Sequence, residues 1–305
     1  MSKKGKRDGP ARTEWSDLEW SDLIDSFTHA NLRQWRDTYR AAHNYRKLLY
    51  FDLEAQRSIH RHDLYESLNA TAVPFAFDSW VRIVNYRYTL HPLSSVGSLK
   101  TIGGRFNFGM QIDPELVKPF PALYIADSEL AARAEYFLTT VLRDGLTPED
   151  LALAKPESFC VVMLRGNLTR VFDLRTVSNL REFLRITKRF TMSPRVRKTA
   201  RRAGIDEHII KDEQVLYDSL MAQNWRYLPT QYDVPSNPQV LGNMLCSAGL
   251  QGVVYPSARS AGTCLAVFPQ NLDSHDSYVE VMPRVPRELE ISRLDWTTWR
   301  ELLEE

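Results

Sequence analysis

The 305-residue sequence is poor in cysteine and carries almost no excess charge. Its three cysteines, Cys160, Cys246 and Cys264, lie far apart and form neither a CxxC motif nor a Cys/His spacing that could hold zinc. We therefore expect no metal site, and a reducing, cytoplasmic compartment is the default interpretation. The formal net charge of +1 argues against a global electrostatic attraction to nucleic acid.

Long apolar segments are also missing. No window approaches the roughly 18 consecutive apolar residues of a membrane span. The basic residues near the N-terminus (Lys3, Lys4, Lys6 and Arg7) are not followed by the apolar segment of a secretory signal. The sequence thus predicts neither a membrane anchor nor secretion, and we interpret residues 1–13 as a disordered, solvated basic arm.

A helical pattern dominates the N-terminal part of the chain. From about Ser26 to Ser67, apolar and aromatic residues recur every three or four positions without Pro or Gly, which predicts a long amphipathic helix broken at most once. Aromatic residues at helical spacing more often belong to a hydrophobic core or to a contact with a partner than to a surface on which nucleic-acid bases stack. We assign residues 14–74 to an N-terminal helical module.

The segment from Gly103 to Phe137 has the composition of a functional site. Gly103 and Gly104 allow a positive φ or a close backbone approach, and they are followed directly by Arg105, whose planar cation carries a fixed fork of donors. The segment therefore predicts a turn that presents Arg105.

A strand and a helix are predicted shortly after this turn. In the apolar run Pro121–Ala126, alternation places Leu123 and Ile125 on one face and Tyr124 on the other. Asp127 or Ser128 is a good N-cap for the Ala-rich helix that follows. Glu135 falls near the apolar face of that helix, an unusual place for a carboxylate.

A second motif lies near the C-terminus. Residues 253–255 predict a strand with Pro256 and Ser257 at its end, and residues 264–268 predict another strand after a turn at Gly262. Ser257 lacks the Gly-x-Ser-x-Gly elbow of a hydrolase nucleophile, and no His is marked as its base. A positioning hydroxyl is therefore the better interpretation of Ser257.

These motifs resemble the RES domain, a family named for an arginine, a glutamate and a serine and found mostly among bacterial toxins of toxin–antitoxin systems. The resemblance covers roughly residues 80–270 and matches Arg105 in Gly-Gly-Arg-Phe-Asn, Glu135, and Ser257 in Tyr-Pro-Ser-Ala-Arg. Two features depart from the family. Phe106 stands where a tryptophan is common, and the insert 108–122 is longer than expected.

The resemblance implies an α+β fold, with a twisted split β-sheet core flanked by helices as in the ADP-ribosyltransferases, and NAD⁺ as substrate. Arg105, Glu135 and Ser257 are the implied catalytic residues: Glu135 opposes the cationic transition state, Arg105 grips pyrophosphate or ribose, and Ser257 bonds ribose or carboxamide. Tyr124 would stack on nicotinamide. The implied NAD⁺-binding residues are Arg82, Gly104, Arg105, Asn107, Tyr124, Ser257 and Arg259, with no metal; Arg82 is as well explained as a surface strand residue.

The resulting hypothesis is an NAD⁺-consuming toxin, a glycohydrolase or phosphorylase, whose partner is a protein antitoxin that blocks the site. One alternative is an ADP-ribosyltransferase that modifies a protein. A second is a non-catalytic protein that binds nucleic acid through the helical segment 175–228, whose basic cluster spans residues 181–202. We regard nucleic acid as the less favoured partner, and we leave a homo-oligomer open.

Further elements complete the prediction. The catalytic domain is assigned to residues 75–285, beginning with a strand at 75–88, and residues 286–305 to a C-terminal helix. Apolar runs at 158–164 and 171–174, separated by Arg-Gly-Asn, indicate a hairpin of central strands, with residues 159–162 in the core.

Overall fold

The structure is a computed structural model that describes residues 29–137, 159–205, 209–283 and 288–303. The predicted basic arm, residues 1–13, lies outside the described residues. No helix in these four ranges is long and apolar enough to cross a membrane.

Two consecutive helices form the N-terminal part of the described chain. Helix α1 spans His29–Ile59 and helix α2 spans Arg61–Asn69, with a break at His60. The prediction of a long helical segment broken once is confirmed, because the apolar residues keep the helical period on both sides of the break.

These two helices share a core with the rest of the protein. Tyr50 of α1 and Leu64 and Leu68 of α2 are buried in the same hydrophobic cluster as Phe172 and Val253, which lie in the sheet. The domain boundary at residue 74 therefore stays a prediction, and side chains from both sides of it pack together.

A seven-stranded sheet forms the centre of the protein. Its strands are β1 (Ala72–Asn85), β2 (Leu123–Ala126), β3 (Phe159–Asp173), β4 (Gly252–Pro256), β5 (Thr263–Val267), β6 (Tyr278–Val281) and β7 (Arg293–Leu294). Their order is β1-β2-β5-β4-β3-β6-β7, and β1 also pairs with β3, so five strands close into a circuit. All pairs are antiparallel except β3 with β4.

The two faces of the sheet bury different clusters, as strand alternation requires. Leu123 and Ile125 of β2 pack into one cluster, whereas Tyr124 and Ala126 pack into the larger cluster that also contains residues from the helices. The predicted facing of β2 is confirmed, and it places Tyr124 on the helix-covered side of the sheet.

The remaining helices flank the sheet. They are α3 (Glu129–Phe137), α4 (Arg181–Thr187), α5 (Pro194–Ala203), α6 (Glu213–Met221), α7 (Tyr227–Tyr232) and α8 (Asn237–Ser247). Five of them lie between β3 and β4, in and beyond the segment 175–228 that was predicted to be helical. The predicted α+β class, with a sheet flanked by helices, is confirmed.

The predicted hairpin at residues 158–174 is wrong, because β3 continues through Gly166. A Cβ at Gly166 would overlap the Tyr278 carbonyl of β6 and lie 2.6 Å from the Phe77 ring, so the glycine permits the close approach of both and does not form a turn. The start of β3 is also less buried than predicted, since Val161 is 38% exposed.

The predicted C-terminal helix, residues 286–305, is not found in the described part of that segment. Residues 288–303 contain the short strand β7, which pairs with β6, and a single 3₁₀ turn at Glu301–Leu303. Pairing with β6 gives the backbone of β7 its hydrogen bonds, so the helical tendency of the sequence is overridden by the sheet edge.

Candidate active site

The turn that presents Arg105 depends on two glycines. Gly103 has a φ of +91°, a conformation that residues with a Cβ rarely adopt. A Cβ on Gly104 would overlap the ring of Tyr124, so the backbone lies directly against that ring. The predicted turn is present, and only glycine fits the second position without displacing Tyr124.

Asn107 holds this turn from within. It is fully buried, and its side-chain oxygen accepts hydrogen bonds from the Gly104 N–H (2.8 Å) and the Tyr124 hydroxyl (2.9 Å). Its amide nitrogen donates to the carbonyls of Ser98 (3.0 Å) and Phe120 (2.9 Å). These contacts make Asn107 a structural centre of the turn, and its predicted contact with NAD⁺ stays a prediction.

Gln239 of α8 holds the same turn from outside. Its side chain is fully buried and donates to the carbonyls of Ile102 (2.8 Å), Gly104 (3.2 Å) and Asn107 (3.1 Å). Sequence reasoning missed this residue, because Gln239 lies more than 130 positions from its partners and no motif marks it.

Tyr124 braces the turn through its hydroxyl. The hydroxyl donates to Asn107 and accepts from the Phe106 N–H at 2.9 Å. Burial raises the pKa of Tyr124 above its ordinary value, so the hydroxyl stays protonated and remains a donor. Its predicted stacking on nicotinamide would have to use ring surface that Gly104 leaves uncovered.

Arg105 is buried and anchored by backbone carbonyls. One guanidinium nitrogen donates to the carbonyls of Leu220 (2.9 Å) and Ala222 (3.0 Å), at the C-terminal end of α6. A helix end offers carbonyls without helical partners and a partial negative charge, both of which suit a cation. Burial lowers the pKa of Arg105, an effect opposed by Tyr255 and Glu135.

Glu135 and Ser257, far apart in sequence, are in direct contact. Oε1 of Glu135 accepts hydrogen bonds from Oγ of Ser257 (2.7 Å) and from the Ala258 N–H (3.2 Å). The contact arises because α3 follows β2 while Ser257 follows β4, and both strands pair with β5.

The hydroxyl of Ser257 is oriented on both sides. It donates to Glu135 and accepts from the backbone N–H groups of Arg259 (3.1 Å) and Ser260 (3.2 Å). Such a hydroxyl donates its proton to a carboxylate and accepts hydrogen bonds from N–H groups, so it is suited to hold the carboxylate in position. This geometry supports a positioning hydroxyl.

Residues 79–290 match the family model described as the RES domain, which covers most of the chain. The chain belongs to the RES domain family. No curated protein matches the chain. Among solved structures, the chain is similar to one from the M. tuberculosis MbcT–MbcA toxin–antitoxin complex, with a TM-score of 0.41 and 17% sequence identity over 80% of this chain and 98% of that one.

A further arginine, Arg226, lies near Arg105 and directly precedes α7. Its guanidinium lies 4.5 Å from the centre of the Trp225 ring, and Arg105 lies 5.8 Å from the same ring. Burial lowers the pKa of Arg226, and the charges of Arg259 and Arg105 lower it further, whereas Glu135 opposes the shift. Sequence reasoning missed Arg226, because it lies outside the basic cluster at residues 181–202.

Arg82 lies apart from this group. Its neighbours on β1, Val81 and Ile83, pack into the cluster on the helix-covered face, so Arg82 points to the opposite face. One guanidinium nitrogen donates to the Ser94 carbonyl at 2.7 Å, and burial lowers the pKa of Arg82 to about 10. The structure therefore does not bring Arg82 to Glu135 and the other predicted catalytic residues.

The basic cluster on α4 and α5 is distributed over exposed helix surface. Arg181 pairs with Glu213 (3.0 Å) and Arg185 with Glu182 (2.7 Å), and all four side chains are at least one-third exposed. Exposed pairs of this kind contribute about 0–1 kcal/mol each. Among the described residues, no group of three His, Cys, Asp or Glu side chains is arranged to hold a metal ion.

Proposed function

We propose that the protein is an NAD⁺-consuming toxin that cleaves the bond between nicotinamide and ribose, as a glycohydrolase or a phosphorylase. The observation that carries this proposal is the Glu135 carboxylate, oriented by Ser257 and within electrostatic range of Arg105 and Arg226, in a chain that belongs to the RES domain family. A relation of the fold to the ADP-ribosyltransferases belongs to the same proposal.

The chemistry of this bond explains the need for a carboxylate. Nicotinamide leaves as a neutral base and takes the bonding electrons, so the ribose carbon becomes cationic in the transition state. A carboxylate about 4 Å away contributes roughly 4 kcal/mol of Coulomb attraction at an effective dielectric of about 20. Water or phosphate then bonds to the ribose carbon and loses a proton.

Glu135 has an oxygen available for this role. Both of its hydrogen bonds are made by Oε1, and Oε2 accepts none from the described residues. Ser257 and the Ala258 N–H fix the orientation of the carboxylate, so Oε2 can face the ribose hydroxyls or the developing positive charge without reorganisation.

Three predictions from the sequence remain part of this proposal. A protein antitoxin is the expected partner, because the family resemblance is to toxins of toxin–antitoxin systems, and the cytoplasm is the expected compartment. ADP-ribosyl transfer to a protein remains the alternative reaction, since it begins with cleavage of the same bond. The nucleic-acid alternative and a homo-oligomer have no specific observation in their favour.

The test is the concentration of NAD⁺ over time with the purified protein, with and without phosphate. We expect wild-type protein to consume NAD⁺, and Glu135→Gln and Arg105→Ala to lose this activity. Glu129→Gln is the matched control, because Glu129 lies on the same helix and is exposed, paired with Arg133. Consumption that depends on phosphate identifies a phosphorylase.

Two results would contradict the proposal. One is wild-type protein that leaves NAD⁺ intact under both conditions. The other is consumption that persists in Glu135→Gln. Labelled NAD⁺ that transfers its label to a protein identifies the transferase alternative.

A further inference from the structure

Arg226 is a partly buried cation without a hydrogen-bonding partner in the described part of the chain. Its guanidinium stacks on Trp225, which is itself only 5% exposed, and it donates no hydrogen bond to a described residue. Arginine is selected at buried positions for its fork of donors, which matches the paired oxygens of carboxylates and phosphates. A stacked guanidinium with unused donors is therefore a ready binding site for an anion.

The position of Arg226 is tied to the candidate active site. Gln223 donates from its side chain to the Ala258 carbonyl at 3.0 Å, and the Ala258 N–H in turn donates to Glu135. The segment that carries Arg226 thus lies against the loop that carries Ser257. Arg226 is thereby held within electrostatic range of the Glu135 carboxylate.

The local charges favour an anion at this place. Arg105 and Arg226 flank the same indole ring, their like charges oppose each other, and Glu135 is the carboxylate that acts on both among the described residues. Arg105 donates to two carbonyls, whereas Arg226 has no such bonds. Of the two, Arg226 therefore has the greater capacity to bind an external anion.

We propose that Arg226, stacked on Trp225, binds the pyrophosphate of the dinucleotide substrate beside Glu135. This inference rests on the proposed function and deepens it, since NAD⁺ carries its pyrophosphate next to the ribose whose bond is cleaved. The pyrophosphate carries the same charge in the bound substrate and in the transition state. Arg226 accordingly contributes to substrate affinity, and Glu135 contributes to the rate of cleavage.

The experiment compares wild type, Arg226→Gln and Arg226→Lys, with Arg300→Gln as matched control. Arg300 also stacks on the preceding tryptophan, Trp299 (5.2 Å), but it is exposed and lies outside the site. We expect Arg226→Gln to raise KM for NAD⁺ about tenfold to a hundredfold, with kcat changed less than about twofold. Arg226→Lys should be intermediate, because it keeps the charge and loses the fork.

A binding measurement gives a second readout that does not depend on turnover. The probe is ADP-ribose, which keeps the pyrophosphate and lacks nicotinamide, titrated by calorimetry at two salt concentrations. We expect its Kd to rise in Arg226→Gln by the same factor as KM, with a weaker salt dependence, and to be unchanged in Arg300→Gln.

The outcomes separate the two proposals. An active wild type whose KM and ADP-ribose affinity are unchanged in Arg226→Gln overturns the inference and leaves the proposed function standing. A fall in kcat alone also overturns it. A wild type that neither consumes NAD⁺ nor binds ADP-ribose overturns the proposed function.

Discussion

The turn that carries Arg105 and the pair formed by Glu135 and Ser257 use their polar groups in opposite ways. In the turn, Asn107 is bonded through both its oxygen and its nitrogen, and Arg105 donates to two carbonyls. In the pair, Oε2 of Glu135 accepts no hydrogen bond from the described residues, although Oε1 accepts two. The polar groups of the turn are hydrogen-bonded within the protein, whereas Oε2 of Glu135 can still bind a ligand.

This difference suggests different roles for the three residues that were predicted to be catalytic. The guanidinium of Arg105 joins the turn to the end of α6, so part of its role is structural. Glu135 is oriented by two hydrogen bonds to Oε1, and its Oε2 accepts none from the described residues. We expect substitutions in the turn to lower stability first, and substitutions in the pair to lower activity first.

The largest expected effect is that of Glu135→Gln on turnover. Loss of the negative charge opposite the cationic ribose should lower kcat about a thousandfold, equivalent to about 4 kcal/mol. The amide oxygen can still accept from Ser257, so the melting temperature should stay within a few degrees of wild type, about 1 kcal/mol. Steady-state kinetics and thermal unfolding measure the two effects, and a variant that retains half of the wild-type kcat would contradict this role.

Asn107→Ala should have the next largest effect, on stability. The substitution leaves the Gly104 N–H, the Tyr124 hydroxyl and two carbonyls without their partner, at a total cost of about 3 kcal/mol or more in the free energy of unfolding. Urea unfolding measures this loss. Asn167→Ala on β3, which removes one bond to the Asp276 carbonyl, is the control and should cost about 1 kcal/mol. Equal losses in the two variants would remove the distinction between the turn and other hydrogen-bonded amides.

Tyr124→Phe should lower stability by about 2 kcal/mol, because the Phe106 N–H and the Asn107 oxygen each lose a partner. The ring is kept, so any stacking on nicotinamide is kept as well. Tyr65→Phe is the control, since Tyr65 of α2 packs against the same core and its hydroxyl donates no hydrogen bond to a described residue. A rise in KM for Tyr124→Phe without a change in unfolding free energy would show that the hydroxyl serves the substrate and not the turn.

Ser257→Ala should have the smallest effect of the four. Glu135 loses one of two donors to Oε1 but keeps the Ala258 N–H, so kcat should fall about tenfold, equivalent to about 1.4 kcal/mol. Ser257→Thr, which retains a hydroxyl, should recover part of this loss. A fall as large as that in Glu135→Gln would mean that Ser257 takes part directly in the chemistry.

Much of the local structure could be predicted, because its causes lie within a few residues. The helical period within residues 29–67, the alternation in β2 and the capping side chain of Ser128 before α3 all appear in the structure. Glycine was read correctly at positions 103 and 104, where the turn itself needs it. The prediction was wrong at Gly166, where the need comes from Phe77 and the Tyr278 carbonyl, both far away in the sequence.

Of the residues in the candidate site, the sequence by itself predicted three, Arg105, Glu135 and Ser257, each embedded in a local motif that resembles the RES domain. Only the tertiary structure decided that Glu135 and Ser257 touch, that Asn107 and Gln239 hold the turn, that Arg226 lies beside them and that Arg82 does not. The physical reason is that hydrogen bonds and charge interactions depend on distances of a few ångströms. Those distances are set by strand pairing and helix packing between segments more than a hundred residues apart.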